Sequence, residues 1–460
     1  MIKDSFRKYL EEAIGSKKAL VAFSAFDTPS PVSVRVNPYK PYPTFEGRQI
    51  AWCRYGTLLP QRPVFTLDPC LHGGAYYVQD SSSMFVGHVF REMLSKVTLP
   101  SDRPVRVLDL CAAPGGKSTD LATSLRDAFG DRFLLVSNEV MKQRAAVLAD
   151  NMAIWGDPNV VVTSDDPRAF AALPDFFDII VTDVPCSGEG MFRKDEEAQN
   201  QWSEDTVALC EARQRRIVAD MWPALKAGGL LIYSTCTFNR YENDGNVKWV
   251  SEELGAQVAG CPVDTFDGII CTECGYSLVP GHVEGEGQYC AALIKTAQTE
   301  YAGGGSFKGT GRRKSSRTNG IVPDWPKDLF TVGMTFRQKG ETVIAVPDII
   351  AQDVETLESC LHVMAAGCAA GVFKGKNFIP DADLALSIKF NNEAYPHADV
   401  DRQTALAFLH RDAIVLPESE KGYVLISYGG LQLGFVKNLG NRCNSLHPQS
   451  RRIRMDINRK

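Results

Sequence analysis

Residues 105–118 read VRVLDLCAAPGGKS, an apolar strand that ends in a Gly-rich turn and leads into a helix. Such a turn lets backbone approach a ligand closely and presents the free N–H groups of a helix N-terminus. Residues 116–118 match the end of a P-loop, but that motif requires a glycine at the position of Cys111. We therefore exclude a P-loop and interpret the turn as a site for an adenosine-type cofactor with a carboxylate end. A tight turn of an α/β fold is the alternative.

Strands and helices alternate regularly around this stretch. We expect strands at 132–137, 159–163, 177–182 and 229–234, and helices at 118–129, 142–155 and 208–226. Apolar strands that alternate with helices predict a mostly parallel α/β sheet covered on both faces. Ligands of such sheets bind beyond the carboxyl ends of the strands.

Composition excludes several classes of protein. The chain has 460 residues, of which 44% are apolar and 23% charged, so it is neither disordered nor fibrous. No apolar run approaches the ~20 residues of a membrane span, and the charged N-terminus is not followed by a signal-like apolar region. The 13 cysteines are an odd number in a long chain, which indicates reduced thiols and a cytoplasmic protein. The single CxxC at 271–274 lacks a second pair, so we expect no metal site.

Charge is unevenly distributed. The net charge is −5, yet residues 301–323 carry five basic residues and no acid, and residues 437–460 carry seven basic residues and one acid. Segregated basic stretches are typical of proteins that bind phosphate groups, although a solvated linker and tail would show the same pattern. The first stretch begins Gly-Gly-Gly-Ser at 303–306, which predicts a flexible linker.

An acid and two thiols also follow predicted strands. Glu139 comes directly after the second strand, where an acidic side chain often binds ribose hydroxyls, although alone it would be a solvated surface acid. Cys186 lies in DVPCSGEG (183–190) and Cys236 in STCTF (234–238), so both thiols are expected at one edge of the sheet. At neutral pH only about 3% of an ordinary thiol is ionised, so a nucleophilic one needs help, for which the cation Lys117 is a candidate. Two small buried hydrophobes are the alternative reading.

A cofactor loop beside two thiols suits one chemistry. A thiolate that adds to carbon-6 of a pyrimidine makes carbon-5 nucleophilic, and carbon-5 then takes a methyl group from a sulfonium donor. A base must remove the carbon-5 proton before the thiol leaves, so the site needs a nucleophile, a hydrogen-bonding group at the ring and a group for release.

The motifs at 109–118, 183–190 and 234–238 together resemble the RNA (cytosine-5) methyltransferases, most closely the RsmF subgroup of bacterial 16S rRNA methyltransferases. Further matching pieces lie at 35–37, 74–84, 191–194 and 285–287, and the resemblance is strong from about 30 to 295. It is weaker at the tail, where 434–437 and Asn444 resemble a small PUA-like RNA-binding domain. Val184 stands where the family usually has alanine, and residues 280–282 match only roughly; neither departure removes a chemical group.

The resemblance implies a Rossmann-like, S-adenosylmethionine-dependent methyltransferase domain with an N-terminal α+β extension and a C-terminal PUA-like β domain. We expect an RNA-facing α+β domain at 1–100, the methyltransferase domain at 101–298, a flexible basic linker at 299–320, a small mixed α/β connecting domain at 321–390 and the PUA-like domain at 391–460.

The resemblance also implies roles for individual residues. The cofactor is expected on Cys111, Ala112, Ala113, Pro114, Gly115, Gly116 and Lys117. Glu139 would bind the ribose, Arg144 would lie near the cofactor, and either Asp165 or Asp166 would reach the adenine. Asp183 would lie between methyl donor and base, Cys236 would be the nucleophile, and Cys186 would assist product release.

The expected product is 5-methylcytosine in 16S rRNA, as naked RNA or in an assembling ribosomal particle, with no membrane or metal partner. A cytosine inside a duplex must be extruded before a thiol reaches it. Methylation of tRNA is an alternative, and so is a non-catalytic ribosome-assembly protein, against which the intact thiols, Asp183 and Lys117 argue. A DNA methyltransferase would use the two thiols in the reverse order, and an amine methyltransferase would need neither.

Overall fold

A computed structural model of the protein describes residues 3–296, 328–375 and 377–457. The basic linker predicted at 299–320 lies outside the described residues. All 13 cysteines lie inside them and are free thiols. In the described part of the chain, no helix combines the length and the apolar character that crossing a bilayer requires.

The N-terminal region combines a helix pair with a small antiparallel sheet in the order β2-β3-β1-β4. Its elements are α1 (Asp4–Ile14), α2 (Ser16–Phe26), β1 (Val32–Val36), β2 (Arg48–Ile50), β3 (Cys53–Leu59), α3 (Pro69–His72), β4 (Tyr76–Val78) and α4 (Phe85–Met93). Apolar residues of α1 recur every four positions, at Phe6, Leu10 and Ile14, and face the next domain, where Phe192 and Trp202 cover them.

The central domain is built on a sheet of ten strands in which β7, β6, β5, β8 and β9 run parallel in that order and β13 pairs antiparallel with β9. Its elements are β5 (Val105–Asp109), α5 (Gly116–Phe129), β6 (Phe133–Asn138), α6 (Lys142–Trp155), β7 (Val160–Thr163), β8 (Phe177–Asp183), α7 (Glu196–Gln201), α8 (Glu204–Met221), β9 (Leu225–Thr235), α9 (Asn246–Glu253), β10 (Ala256–Ala259), β11 (Ile270–Cys271), β12 (Tyr276–Leu278) and β13 (Gln288–Lys295). From β5 the chain adds β6 and β7 on one side and then β8 and β9 on the other. The loop after β5 therefore opens at the switch point where such sheets bind ligands.

The predicted alternation of strands and helices is present, with one difference. The helix expected at 208–226 runs from Glu204 to Met221, because the Ser203 hydroxyl caps its N-terminus by accepting the N–H of Thr206 at 3.1 Å. Pro223 lies in the short 3₁₀ turn that follows, and Lys226, expected in the helix, lies in β9. Proline lacks the N–H that a continuing helix would use, so the strand begins earlier than predicted.

Two elements from outside the expected methyltransferase region pack on this sheet. The residues of α4, including Phe85, Val89 and Phe90, are buried in the apolar layer on one face of the sheet. At the sheet edge, β16 (Val363–Ala366) of the connecting region pairs antiparallel with β7, so that the connecting region adds a strand to the central sheet. An exposed strand edge presents unpaired N–H and C=O groups, and β16 satisfies those of β7.

The connecting region otherwise forms its own four-stranded sheet, in the order β14-β15-β17-β18. Its elements are β14 (Met334–Lys339), β15 (Thr342–Pro347), α10 (Ala351–Cys360), β16 (Val363–Ala366), β17 (Cys368–Lys374), β18 (Asn377–Pro380) and α11 (Ala382–Leu386).

The C-terminal region is a small β domain with the strand order β19-β20-β21-β22. Its elements are β19 (His397–Asp399), α12 (Arg402–His410), β20 (Gly422–Tyr428), β21 (Leu431–Asn438) and β22 (Cys443–Ser445). The hairpin predicted at 423–436 is present, with Tyr428 opposite Leu431. Gly429 and Gly430 have φ values of +55° and +78°, which the two-residue turn requires and which glycine adopts without strain.

Candidate active site

The turn after β5 begins the site. Gly115 has a φ of +116° and ends the turn just before α5, which leaves the first N–H groups of the helix directed towards the carboxyl edge of the sheet. The N-terminal sheet makes hydrogen bonds to the start of α5, next to this turn. The fully buried Arg35 of β1 donates to the carbonyl oxygen of Gly116 at 3.2 Å and to Thr119 Oγ1 at 2.5 Å.

The two thiols meet at the ends of neighbouring strands. Asp183 at the end of β8 pairs in register with Ser234 of β9, and the loops that follow bring Cys186 Sγ to 3.0 Å from Cys236 Sγ. The hydrogen bond with Cys236, together with burial, raises the pKa of Cys186 well above its ordinary value. Cys186 is therefore held as a neutral thiol beside Cys236.

An ion pair lies beside the thiols. Lys117 Nζ donates to Asp183 Oδ2 at 2.8 Å, and the Ser234 hydroxyl donates to Asp183 Oδ1 at 2.8 Å. Burial disfavours the charged form of Lys117, but the attraction of Asp183 outweighs it and raises the pKa of the ammonium. Gln288 of β13 adds a third donor to Asp183, at 3.0 Å. Sequence reasoning missed Gln288, although it directly follows the matching piece at 285–287.

The predicted cofactor residues lie together around the turn. Arg144 of α6 pairs with Glu139 Oε2 at 3.2 Å and donates to the carbonyl oxygen of Ala113 at 3.0 Å, so it joins the turn to the predicted ribose acid. The Ala112 N–H donates to the carbonyl oxygen of Asn138 at 2.8 Å. Asn138, which sequence reasoning missed, also ties the ends of β5 and β7 together, because its amide donates to the carbonyl oxygens of Leu110 and Asp165.

The remaining loop residues are held by their neighbours. Asn151 donates to the carbonyl oxygen of Pro114 at 2.7 Å. The sulfur of Cys111 accepts a hydrogen bond from Thr182 Oγ1 at 3.7 Å, and burial raises the pKa of this thiol to about 12. Cys111 is therefore an inert thiol within the turn.

Asp165 and Asp166 make different contacts. Asp165 Oδ2 accepts the backbone N–H of His362 from the connecting region at 2.8 Å, and burial raises the pKa of this carboxyl. Asp166 caps the following 3₁₀ turn and lies 3.6 Å from the Arg168 guanidinium. Each carboxylate thus has one protein partner, and the choice between them for the adenine stays a prediction.

The site also contains a polar atom that a ligand would satisfy. Asp109, at the end of β5, is fully buried; its Oδ2 accepts from the Ser118 hydroxyl at 2.6 Å, whereas Oδ1 has no hydrogen-bond partner among the described residues. Burial raises the pKa of this carboxyl to about 7. A buried polar atom without a partner is costly, so this position fits a ligand with a polar or cationic group. In the described ranges, no group of three or more His, Cys, Asp or Glu residues is arranged to hold a metal ion.

Three family models match the chain. The model described as "16S rRNA methyltransferase RsmB/F" matches residues 97–294, that for the "N-terminal domain of 16S rRNA methyltransferase RsmF" matches 2–81, and the "Methyltransferase RsmF PUA domain" matches 395–453. Similar curated proteins include the ribosomal RNA small subunit methyltransferase F of Enterobacter sp. (strain 638), 29% identical over 97% of this chain and 95% of that protein. The protein of the same name from Salmonella agona (strain SL483) is 28% identical over the same shares.

Solved structures share the fold. A methyltransferase homolog protein from Pyrococcus horikoshii aligns with a TM-score of 0.53 and 23% identity, over 64% of this chain and 95% of that chain. NSun6 from Pyrococcus horikoshii with SFG aligns with a TM-score of 0.53 and 17% identity, over 64% and 99%. With the Rossmann-like central domain and matched regions at both ends, the chain belongs to the 16S rRNA methyltransferase RsmB/F family.

Proposed function

We propose that this protein uses S-adenosylmethionine to methylate carbon-5 of a cytosine in 16S rRNA. The observation that carries the proposal is the pair of thiols, 3.0 Å apart, beside the partly buried ion pair of Lys117 and Asp183. Membership of the family supports the methyl transfer and the class of RNA, and the two thiols support the cytosine chemistry. When bound, the cofactor supplies an electrophilic methyl group.

The residues around the turn after β5 suit that cofactor. Glu139 would accept hydrogen bonds from the ribose hydroxyls, and Arg144 holds this carboxylate in place. The side chains of Val140 and Met141 are 53% and 56% exposed, and they offer an apolar surface beside Glu139 for the flat adenine ring. The unpartnered Oδ1 of Asp109 is a candidate acceptor for the amino group.

Cys236 would attack the substrate. Its sulfur, after losing its proton, would bond to carbon-6 of the cytosine, and carbon-5 would then bond to the methyl group as the bond between that group and the sulfonium sulfur breaks. Asp183 would hold the ring by a hydrogen bond while Lys117 balances the charge of the carboxylate. A base would then take the carbon-5 proton, the electron pair of that bond would restore the double bond between carbon-5 and carbon-6, and Cys236 would leave as a thiolate. Cys186 would assist this release.

Covalent trapping tests the proposal. Cys186→Ala, expressed in a bacterial host, is expected to accumulate a protein–RNA adduct that survives denaturation, and sequencing the attached RNA identifies the target. The adduct should disappear in the double variant with Cys236→Ala. The proposal is wrong if Cys186→Ala gives no adduct and Cys236→Ala still methylates RNA. Attached tRNA would confirm the chemistry and correct the substrate.

A further inference from the structure

Two buried carboxylates hold the loops that carry the thiols. Glu189 lies three residues after Cys186 and is fully buried. Its Oε2 accepts the backbone N–H groups of Phe238 at 2.6 Å and Asn239 at 3.1 Å. The carboxylate from the Cys186 segment thus holds the backbone that follows Cys236.

The second carboxylate comes from the Cys236 segment and holds the backbone around Cys186. Glu242 lies six residues after Cys236, is also fully buried, and its Oε2 accepts the backbone N–H of Ser187 at 3.0 Å. The same oxygen accepts the amide of Gln214 at 2.7 Å, and this amide also donates to the carbonyl oxygen of Pro185 at 3.0 Å. The peptide groups on both sides of Cys186 are therefore tethered to one buried pair, Glu242 and Gln214.

The two tethers meet at one side chain. Asn239 Nδ2 lies 2.9 Å from Glu189 Oε1 and 2.8 Å from Glu242 Oε1. Burying two carboxylates close together is costly unless donors satisfy both. Burial and the nearby Glu189 raise the pKa of Glu242 to about 7. The described donors to the Glu242 carboxylate are Ser187 and Asn239 of the two thiol loops and Gln214 of α8, which itself holds Pro185.

We propose that Glu189 and Glu242 are positioning residues with separate effects, Glu189 on the attack by Cys236 and Glu242, through Gln214, on the release assisted by Cys186. Neither carboxylate contacts a reacting atom; each acts through the loop of the thiol on the other segment. Loss of Glu242 should leave formation of the adduct intact and slow its resolution. Loss of Glu189 should slow the formation of the adduct. This inference rests on the proposed function.

The experiment compares variants of the full chain in a bacterial host whose own matching methyltransferase gene is deleted, so that host rRNA is the substrate. The RNA-bound fraction of the protein is measured on denaturing gels, and methylation by bisulfite sequencing of host 16S rRNA. We expect Glu242→Gln to raise the adduct about ten-fold above wild type, because displacing a catalytic group slightly has effects of this size. Glu189→Gln should show no adduct above wild type and about ten-fold less methylation.

Double variants separate the two roles. In a Cys186→Ala background the release group is already absent, so adding Glu242→Gln should change the adduct by less than about two-fold. Adding Glu189→Gln should lower it about ten-fold. The matched control is Asp244→Asn, two residues from Glu242, whose carboxylate accepts from Thr272 and Tyr289 at 2.7 Å; it should leave the adduct at the wild-type level.

Three results would contradict these ideas in distinguishable ways. If Cys186→Ala traps RNA but adding Glu242→Gln lowers the adduct as Glu189→Gln does, the separation of roles is wrong and the proposed function stands. If Glu242→Gln alone gives no adduct, the role in release is wrong. If Cys186→Ala itself traps nothing, both fail. Should Glu242→Gln not accumulate as folded protein, Gln214→Met carries the same test, because it removes the tether to Pro185.

Discussion

Asp183 joins the turn after β5 to the end of β9, because Lys117 and Ser234 both donate to its carboxylate. Three donors, from Lys117, Ser234 and Gln288, bind its two oxygens, and about one of the four acceptor sites of a carboxylate is left over. A buried ammonium is stabilised only while its counter-charge remains, so Asp183 and Lys117 depend on each other.

Asp183→Asn should therefore lower methylation by about 10²–10³-fold, because it removes the counter-charge of Lys117 and replaces one of the two acceptor oxygens by an NH2 donor. Transfer of a labelled methyl group to 16S rRNA measures the effect. Asp127→Asn, the same change in a surface ion pair with Arg54, is the control and should keep wild-type activity. Activity within about two-fold of wild type for Asp183→Asn would exclude a role for this carboxylate in the reaction.

Asp109 makes stability depend on pH. Its pKa lies at about 7 in the folded protein because it is buried, against an ordinary 3.8. Between these values the folded state binds one more proton than the unfolded state, so stability falls as pH rises and levels off above about 7. Relative to Asp109→Asn, the wild type should lose up to about 1.4 kcal/mol per pH unit between pH 5 and 7 in denaturant unfolding. Parallel pH curves for the two proteins would show that Asp109 ionises normally.

Among the elements, the turn after Cys186 packs directly on the turn that carries Cys236. Gly190 donates its N–H to the carbonyl oxygen of Cys236 at 2.7 Å. A Cβ at this position would lie 2.8 Å from that oxygen and 3.1 Å from the carbonyl oxygen of Glu286. Both obstacles are backbone atoms, so the two turns fit together only because residue 190 has no side chain.

Gly190→Ala is expected to move the two thiols apart, which should lower methylation by about ten-fold or more. The cost in stability should be about 1–3 kcal/mol, as for other overpacked sites. Gly260→Ala is the matched control, because the nearest atom to its Cβ would be Tyr276 Oη at 4.0 Å. Thermal unfolding and methyl transfer measured on both variants separate loss of activity from loss of folding. Normal activity in Gly190→Ala would mean that the turns adjust without consequence.

At the scale of the whole molecule, Arg451 joins three regions. This residue of the C-terminal tail is largely buried, and it pairs with Asp150 of α6 at 2.9 Å and with Asp383 of α11 at 2.6 Å. The tail was expected to supply cations for RNA, but Arg451 is committed to these acids. The tail therefore has a structural role in addition to any contact with phosphate.

Arg451→Met should destabilise the protein by about 1–3 kcal/mol, since it leaves two partly exposed acids without their shared cation. Unfolding in denaturant measures the loss. Arg454→Met, a change to an exposed arginine of the same tail, should have little effect on stability. Equal stabilities for the two variants would show that the ion pairs contribute nothing to holding the regions together.

Other cations of the C-terminal domain are exposed, unlike Arg451, and we expect them to contact RNA phosphates. Lys437, Arg442 and Arg454 are exposed, and we expect binding of 16S rRNA to weaken steeply with salt. Each lost phosphate contact lowers the slope of log affinity against log salt by about 0.7–0.9. The triple alanine variant should therefore reduce the slope by about 2 in filter-binding titrations. A wild-type affinity that does not change with salt would exclude these phosphate contacts.

The sequence alone was sufficient for features encoded by near neighbours. Hydrophobic periodicity within about fifteen residues predicted β5, α6 and the C-terminal hairpin, and the residues of 109–118 predicted the turn between β5 and α5. The strand ends also predicted that Cys186 and Cys236 would lie at one edge of the sheet, because neighbouring parallel strands end side by side.

Only the tertiary structure decided which distant groups meet. Four such contacts join residues that are about 50 to 300 positions apart. They are the pairing of β16 with β7, the bond from Arg35 to the turn after β5, the hydrogen bonds of Glu189 and Glu242 to each other's loops, and the ion pair of Arg451 with Asp150. Residues so far apart leave no periodic signal in the chain. The packing of the whole molecule determines such contacts. A buried charge or an unpaired strand edge needs a hydrogen-bond partner, and only the tertiary fold decides which residue is close enough to provide it.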